Sequence, residues 1–107
     1  MTEKRPQMIY TLLVEAGRRK GDGLPEGSTG AALTCYATGV TEAEAVNETV
    51  AVLKAAGLAP LDVSSYGTLE ERQAEGHDIS DEELQLMARA RDENSVIVAA
   101  LTPFYDR

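Results

Sequence analysis

The alternation of apolar and polar positions changes period several times along this 107-residue chain, and each change marks an element. "MIYTLLVE" (8–15) is rich in β-branched and aromatic residues and reads as a strand, with Tyr10 on a segment that has no polar face. "AALTCYAT" (31–38) alternates cleanly. Ala31, Leu33, Cys35 and Ala37 form one row, and Ala32, Thr34, Tyr36 and Thr38 form the other. Between the two strands, residues 16–30 hold five glycines and Pro25 without periodicity, which predicts a long, mobile loop.

The next segments switch to helical spacing. Thr41 and Glu44 spell a capping box ahead of a helix whose buried stripe is expected at Val46, Val50 and Leu53. Gly57, Leu58 and Pro60 close it. "LDVSSYGT" (61–68) returns to strand alternation, with Leu61 and Val63 on one side and Asp62, Ser64 and Tyr66 on the other. Thr68 with Glu71, and Ser80 with Glu83, repeat the capping signature for a short helix and a longer one. "SVIVAALTPFY" (95–105) is apolar on both faces as far as Leu101, the pattern of a central strand.

The expected class is therefore α+β: a mixed four-stranded sheet in ββαβααβ order, with the helices on one face, ferredoxin-like in general layout. Residues 1–7 read as a disordered tail and 8–107 as a single domain.

Composition narrows the function classes. The net charge is −8, and it is unevenly spread: residues 1–40 sum to +1 and residues 41–107 to −9. That balance speaks against direct nucleic-acid binding, which needs a basic stripe to neutralise phosphates. The longest strictly apolar run, "VIVAAL", is far short of a membrane span, and the N-terminal apolar stretch meets Glu15 without a cleavage signature, so neither a membrane segment nor a secretory leader is expected. A single cysteine makes no internal disulfide and fits a reducing, cytoplasmic setting.

Candidate chemistry is sparse. Cys35 lies on the apolar row of its strand, where burial raises the thiol pKa and leaves it inert. "GRRKGDG" is basic and glycine-rich, but it joins two strands, whereas a phosphate loop opens a helix. Arg18, Arg19 and Lys20 accordingly read as a solvated loop tip. His77 stands among acids that lack calcium-loop spacing. No catalytic residue, metal ligand set or cofactor loop emerges.

Two surfaces remain. Residues 70–83 hold seven acids, of which Glu70, Glu75, Asp78, Asp81 and Glu82, with His77 beside them, form an acidic patch suited to a basic protein partner. Thr34, Tyr36, Ser64 and Tyr66 would line an open sheet face if helices cover the opposite one. The resulting expectation is a non-catalytic interaction module that forms a homo-oligomer through that face and docks a basic partner through the patch. The competing readings are a small oligomeric ligand-binding protein or enzyme using the tyrosine face and His77, and an acidic inhibitor of a nucleic-acid enzyme.

Overall fold

In the computed structural model, which describes residues 7–105, the chain runs β1 (Met8–Gly17), β2 (Ser28–Gly39), α1 (Glu42–Ala55), β3 (Ala59–Thr68), α2 (Leu69–Ala74), α3 (Asp81–Glu93) and β4 (Ile97–Tyr105). The α+β class, the four strands and the ββαβααβ order agree with the sequence reading. The expected N-terminal tail lies outside the described residues apart from Gln7.

The strands form one sheet in the order β3-β1-β2-β4, and every adjacent pair is antiparallel. The β2–α1–β3 crossover does join two parallel strands, as a helix between strands implies, but β1 lies between them. No parallel ladder forms for that reason.

The β1–β2 register is continuous from Met8 opposite Gly39 to Ala16 opposite Ala31. It separates two rows. Tyr10, Leu12, Val14, Leu33, Cys35 and Ala37 face α1, where Ala45 and Leu53 meet them. Ile9 and Tyr36 face the other way, against Met87 and Ala90 of α3. Helices therefore cover both faces of the sheet, where a single covered face was expected. The physical reason lies in β1, which has no wholly polar face, and in the Tyr36 ring on the second row of β2; both need cover on the far side as well. Fully buried side chains such as Leu12, Leu33 and Leu53 each contribute roughly 1.5–3 kcal/mol of burial free energy.

The centre of the buried stripe of α1 falls at Ala45, Thr49 and Leu53, with Val46 and Val50 half-buried beside it. This is a rotation of one residue from the expected stripe. Thr49 tolerates full burial because its hydroxyl donates to the Ala45 carbonyl at 2.8 Å. Gly57 ends the helix at φ 91°, and the Leu58 N–H then bonds back to the Leu53 carbonyl.

The β1–β2 connection is shorter than the 16–30 expected, because Ala16, Gly17 and residues 28–30 belong to the strands. Its centre is the Asp22 carboxylate. That group accepts from the Arg19 and Leu24 backbone N–H groups at 2.8 and 3.0 Å and from Arg18 Nε at 3.0 Å. Arg18 also donates to the Pro25 and Ser28 carbonyls. It is thus a structural clamp, and only Arg19 and Lys20 of the basic triplet resemble a solvated tip. Leu24, held by this network, is buried with Val14 and Leu58.

Both outer strands are irregular. In β3, Leu61 and Tyr66 fall at the register shifts and have no partner in β1. In β4, Ala99 occupies the same kind of position opposite β2.

Candidate functional site

The polar centre of the molecule sits where α2 and α3 cross the β1–β2 sheet. Capping sets up both helix starts. Thr68 accepts from the Glu71 N–H while Glu71 accepts from the Thr68 N–H, and Ser80 and Glu83 do the same. At α1 only half of the expected box forms: Thr41 accepts from the Glu44 N–H, and Glu44 turns to the Val40 N–H.

The second box fixes the Glu83 carboxylate over Tyr36. The Tyr36 hydroxyl donates to Glu83 Oε1 at 2.8 Å. Arg72 stands 3.5 Å from the same oxygen and donates to the Thr11 hydroxyl at 3.0 Å. Arg72 Nε also donates to His77 Nδ1 at 3.2 Å. Accepting at Nδ1 places the His77 proton on Nε2, which lies 3.9 Å from Glu75.

The hydrogen bond from Tyr36 is the main reason the Glu83 carboxyl is held below its usual pKa, with the Ser80 N–H and Arg72 adding to it. Burial, reinforced by the carboxylate, pushes the Tyr36 phenol up to about 12. The phenol therefore stays protonated and the carboxylate stays ionised. Such a pair serves as a structural tie and is poorly set for proton transfer near neutral pH.

Tyr36 is 1% exposed beneath α3. It cannot line an open sheet face, because the helix expected on the far side lies directly over it. Thr34, on the same row, is half-buried. It borders a recess of about 350 Å³ with Tyr36, Glu82, Glu83, Leu86 and Ala100. Ser64 is exposed on β3, and Tyr66 projects from its bulge at the sheet edge. The four residues expected to share one surface are thus divided between a buried tie, a recess and an edge. His77 joins Tyr36 through Arg72 and Glu83 but does not line the recess.

Glu70, Glu75, His77, Asp78, Asp81 and Glu82 are all exposed. Arg72, the basic residue among them, turns inward to Thr11 and Glu83, and among the described residues no other Lys or Arg pairs with these acids. Among the described residues, no group of three or more His, Cys, Asp or Glu side chains is placed to hold a metal ion. Cys35 is fully buried, and burial pushes its thiol up to about 11.

One surface escaped the sequence reading. β4 was expected at the centre of the sheet, but it is an edge. Val98, Leu101, Phe104 and Tyr105 are between 39% and 55% exposed as a result. The available signal was Pro103. A proline cannot donate to a ladder and is confined within sheets to edges, strand starts and bulges.

A family model described as "Domain of unknown function (DUF8846)" matches residues 9–105. No curated protein and no solved structure matches the chain. With nearly all of the described fold inside the match, the chain belongs to the family defined by this domain of unknown function, DUF8846.

Proposed function

We propose that the protein is a non-catalytic interaction module that associates with a second copy of itself. The observation that carries this reading is the set of apolar side chains left exposed on β4: Val98, Leu101 and Tyr105 on the side that α1 faces, and Phe104 on the other. Single exposed apolar residues are ordinary, but several gathered on one strand mark an interaction surface. The buried, protonated Cys35 and the mutually satisfied Tyr36–Glu83 pair favour this reading over a catalytic one.

Sedimentation velocity on the unaltered protein over a broad concentration range tests it. A dimer that dissociates on dilution is expected. A monomer at every concentration would refute the reading.

The acidic surface on α2 and the start of α3 supports a second role for the module, the docking of a basic protein. What favours it is the inward turn of Arg72, which leaves Glu70, Glu75, Asp78, Asp81 and Glu82 without a Lys or Arg ion-pair partner among the described residues. Replacing Glu70, Glu75 and Asp78 by lysine leaves all three helix caps in place. Partners recovered with the unaltered protein from native lysate should then be lost, and they should also be lost at high salt. Recovery insensitive to both would reduce the patch to a solvated face.

A further inference from the structure

Resting on the reading of a basic protein partner, we infer that this partner presents an amphipathic helix with lysine or arginine beside its apolar stripe, and that the helix lies on the half of the sheet that α2 and α3 leave bare.

The bare half begins where those two helices stop. Their contacts with the sheet lie toward Ile9 and Thr38: Arg72 of α2 reaches Thr11, Glu83 accepts from Tyr36, and Asn94 at the end of α3 accepts from Thr38. The recess at Thr34 and Ala100 marks the edge of this cover. Beyond it the same side of the sheet continues with Asp62, Glu15, Ala32 and Thr102, which stand in register across all four strands. Asp62, Glu15 and Thr102 are exposed and Ala32 is half-buried.

Leu13 lies at the centre of this half. β1 is a central strand, and among the described residues each of its apolar side chains from Met8 to Ala16 joins a core cluster except Leu13. Leu13 is half-buried and stands opposite Thr34, on the bare side. Leu61, 74% exposed, lies over Gly17, with Cδ1 3.0 Å from where a Cβ would stand. Gly17 follows Glu15 on that side by alternation. Phe104, opposite Gly30, closes the face on β4. Apolar side chains on a sheet face are ordinarily buried against a second layer.

Backbone pairing selects a helix for that layer. β1 and β2 each have a strand on both sides. An occupant lying on their face gains no ladder bonds from them and must satisfy its own N–H and C=O groups. A helix does so, and α2 and α3 already pack in this way on the same side. The face is about 14 Å wide across its strands, the length of about ten helical residues.

Charge selects a basic partner. Glu15 and Asp62 are directly opposite in the β1–β3 ladder, with both side chains on the bare side. Like charges so placed destabilise a sheet, and neither makes an ion pair among the described residues. Glu82 adds a carboxylate at the recess. Lys54 borders a groove with Asp62, but it stands on α1, on the other side of the sheet. A second copy would bring a further net −8. A cation of the partner helix between Glu15 and Asp62 relieves their repulsion while its apolar stripe covers Leu13 and Leu61.

The probe is a synthetic peptide about four helical turns long, leucine on one face and lysine on the other. Titrated into isotope-labelled protein, it should shift the amide signals of Leu13, Glu15, Ala32 and Thr102. The double variant Glu15→Gln, Asp62→Asn changes only exposed side chains. It should melt at a higher temperature, because the like-charge pair is gone, and bind the peptide about tenfold more weakly. Unchanged peptide affinity in that variant overturns the inference. Shifts confined to α2 and the first turn of α3 overturn the seat and leave the basic-partner reading standing. Absence of binding up to millimolar peptide overturns the inference, and the reading itself falls only if lysate partners also survive the Glu70, Glu75 and Asp78 replacements. The same shifts on concentrating the protein alone would give the face to a second copy and overturn the inference.

Discussion

The Tyr36 hydroxyl donates to the Glu83 carboxylate at 2.8 Å, tying the middle of β2 to the first turn of α3 across 47 residues of sequence. One oxygen of Glu83 thereby serves the sheet while the other accepts from the Ser80 N–H and caps its own helix. Tyr36→Phe removes the tie and leaves the ring in place. Glu83 keeps Arg72 and Ser80, so the loss should be about 1–2 kcal/mol, within the range of a hydrogen bond to a charged group. Urea unfolding measures it. An unchanged midpoint would mean that the bond contributes nothing net to stability.

Both ends of the pH scale should weaken the fold. The Glu83 carboxyl is lowered chiefly by the Tyr36 hydrogen bond, and the Asp22 carboxyl chiefly by the Arg19 and Leu24 N–H groups. A carboxyl lowered in the folded state stabilises fully above its unfolded pKa, and that contribution is lost as pH falls through the folded value. The stability gap between the unaltered protein and Glu83→Gln should therefore narrow as the solution is acidified. At the alkaline end Tyr36, with its ordinary value of 10.0 pushed up to about 12, stabilises fully below the former and loses that contribution on the way to the latter. Tyr36→Phe should flatten this limb. Parallel pH profiles for the unaltered and altered proteins would contradict the assignment.

Cys35 should behave as a core atom. It is fully buried opposite Leu12, and its raised thiol pKa keeps it protonated. A thiol reagent should modify it no faster than the protein unfolds. Cys35→Ala should cost about 1 kcal/mol, as small core truncations do. Cys35→Ser should cost about 1–3 kcal/mol more, because it places a hydroxyl where no partner stands. Rapid labelling of the folded protein would show that the strand opens locally.

What the sequence determined by itself was local. The side chains of Thr41, Thr68 and Ser80 each cap the N–H three residues on, as their spacing implied, and Gly57 ends α1 where expected. A cap or a turn involves groups within a few residues, so its energetics are written in a short window. Alternation likewise placed Cys35 on a buried row. Strand order is different, because it depends on contacts between segments far apart in sequence. β1 and β4 both read as apolar on two faces, yet β1 is central and β4 is an edge. Only the tertiary arrangement decided that α1 covers one face while α2 and α3 cover the other, and that choice buried Tyr36. It also turned Arg72 inward to Thr11, 61 residues away. The surface left over on β4 is a product of strand order, since an apolar strand is exposed only where the sheet happens to stop.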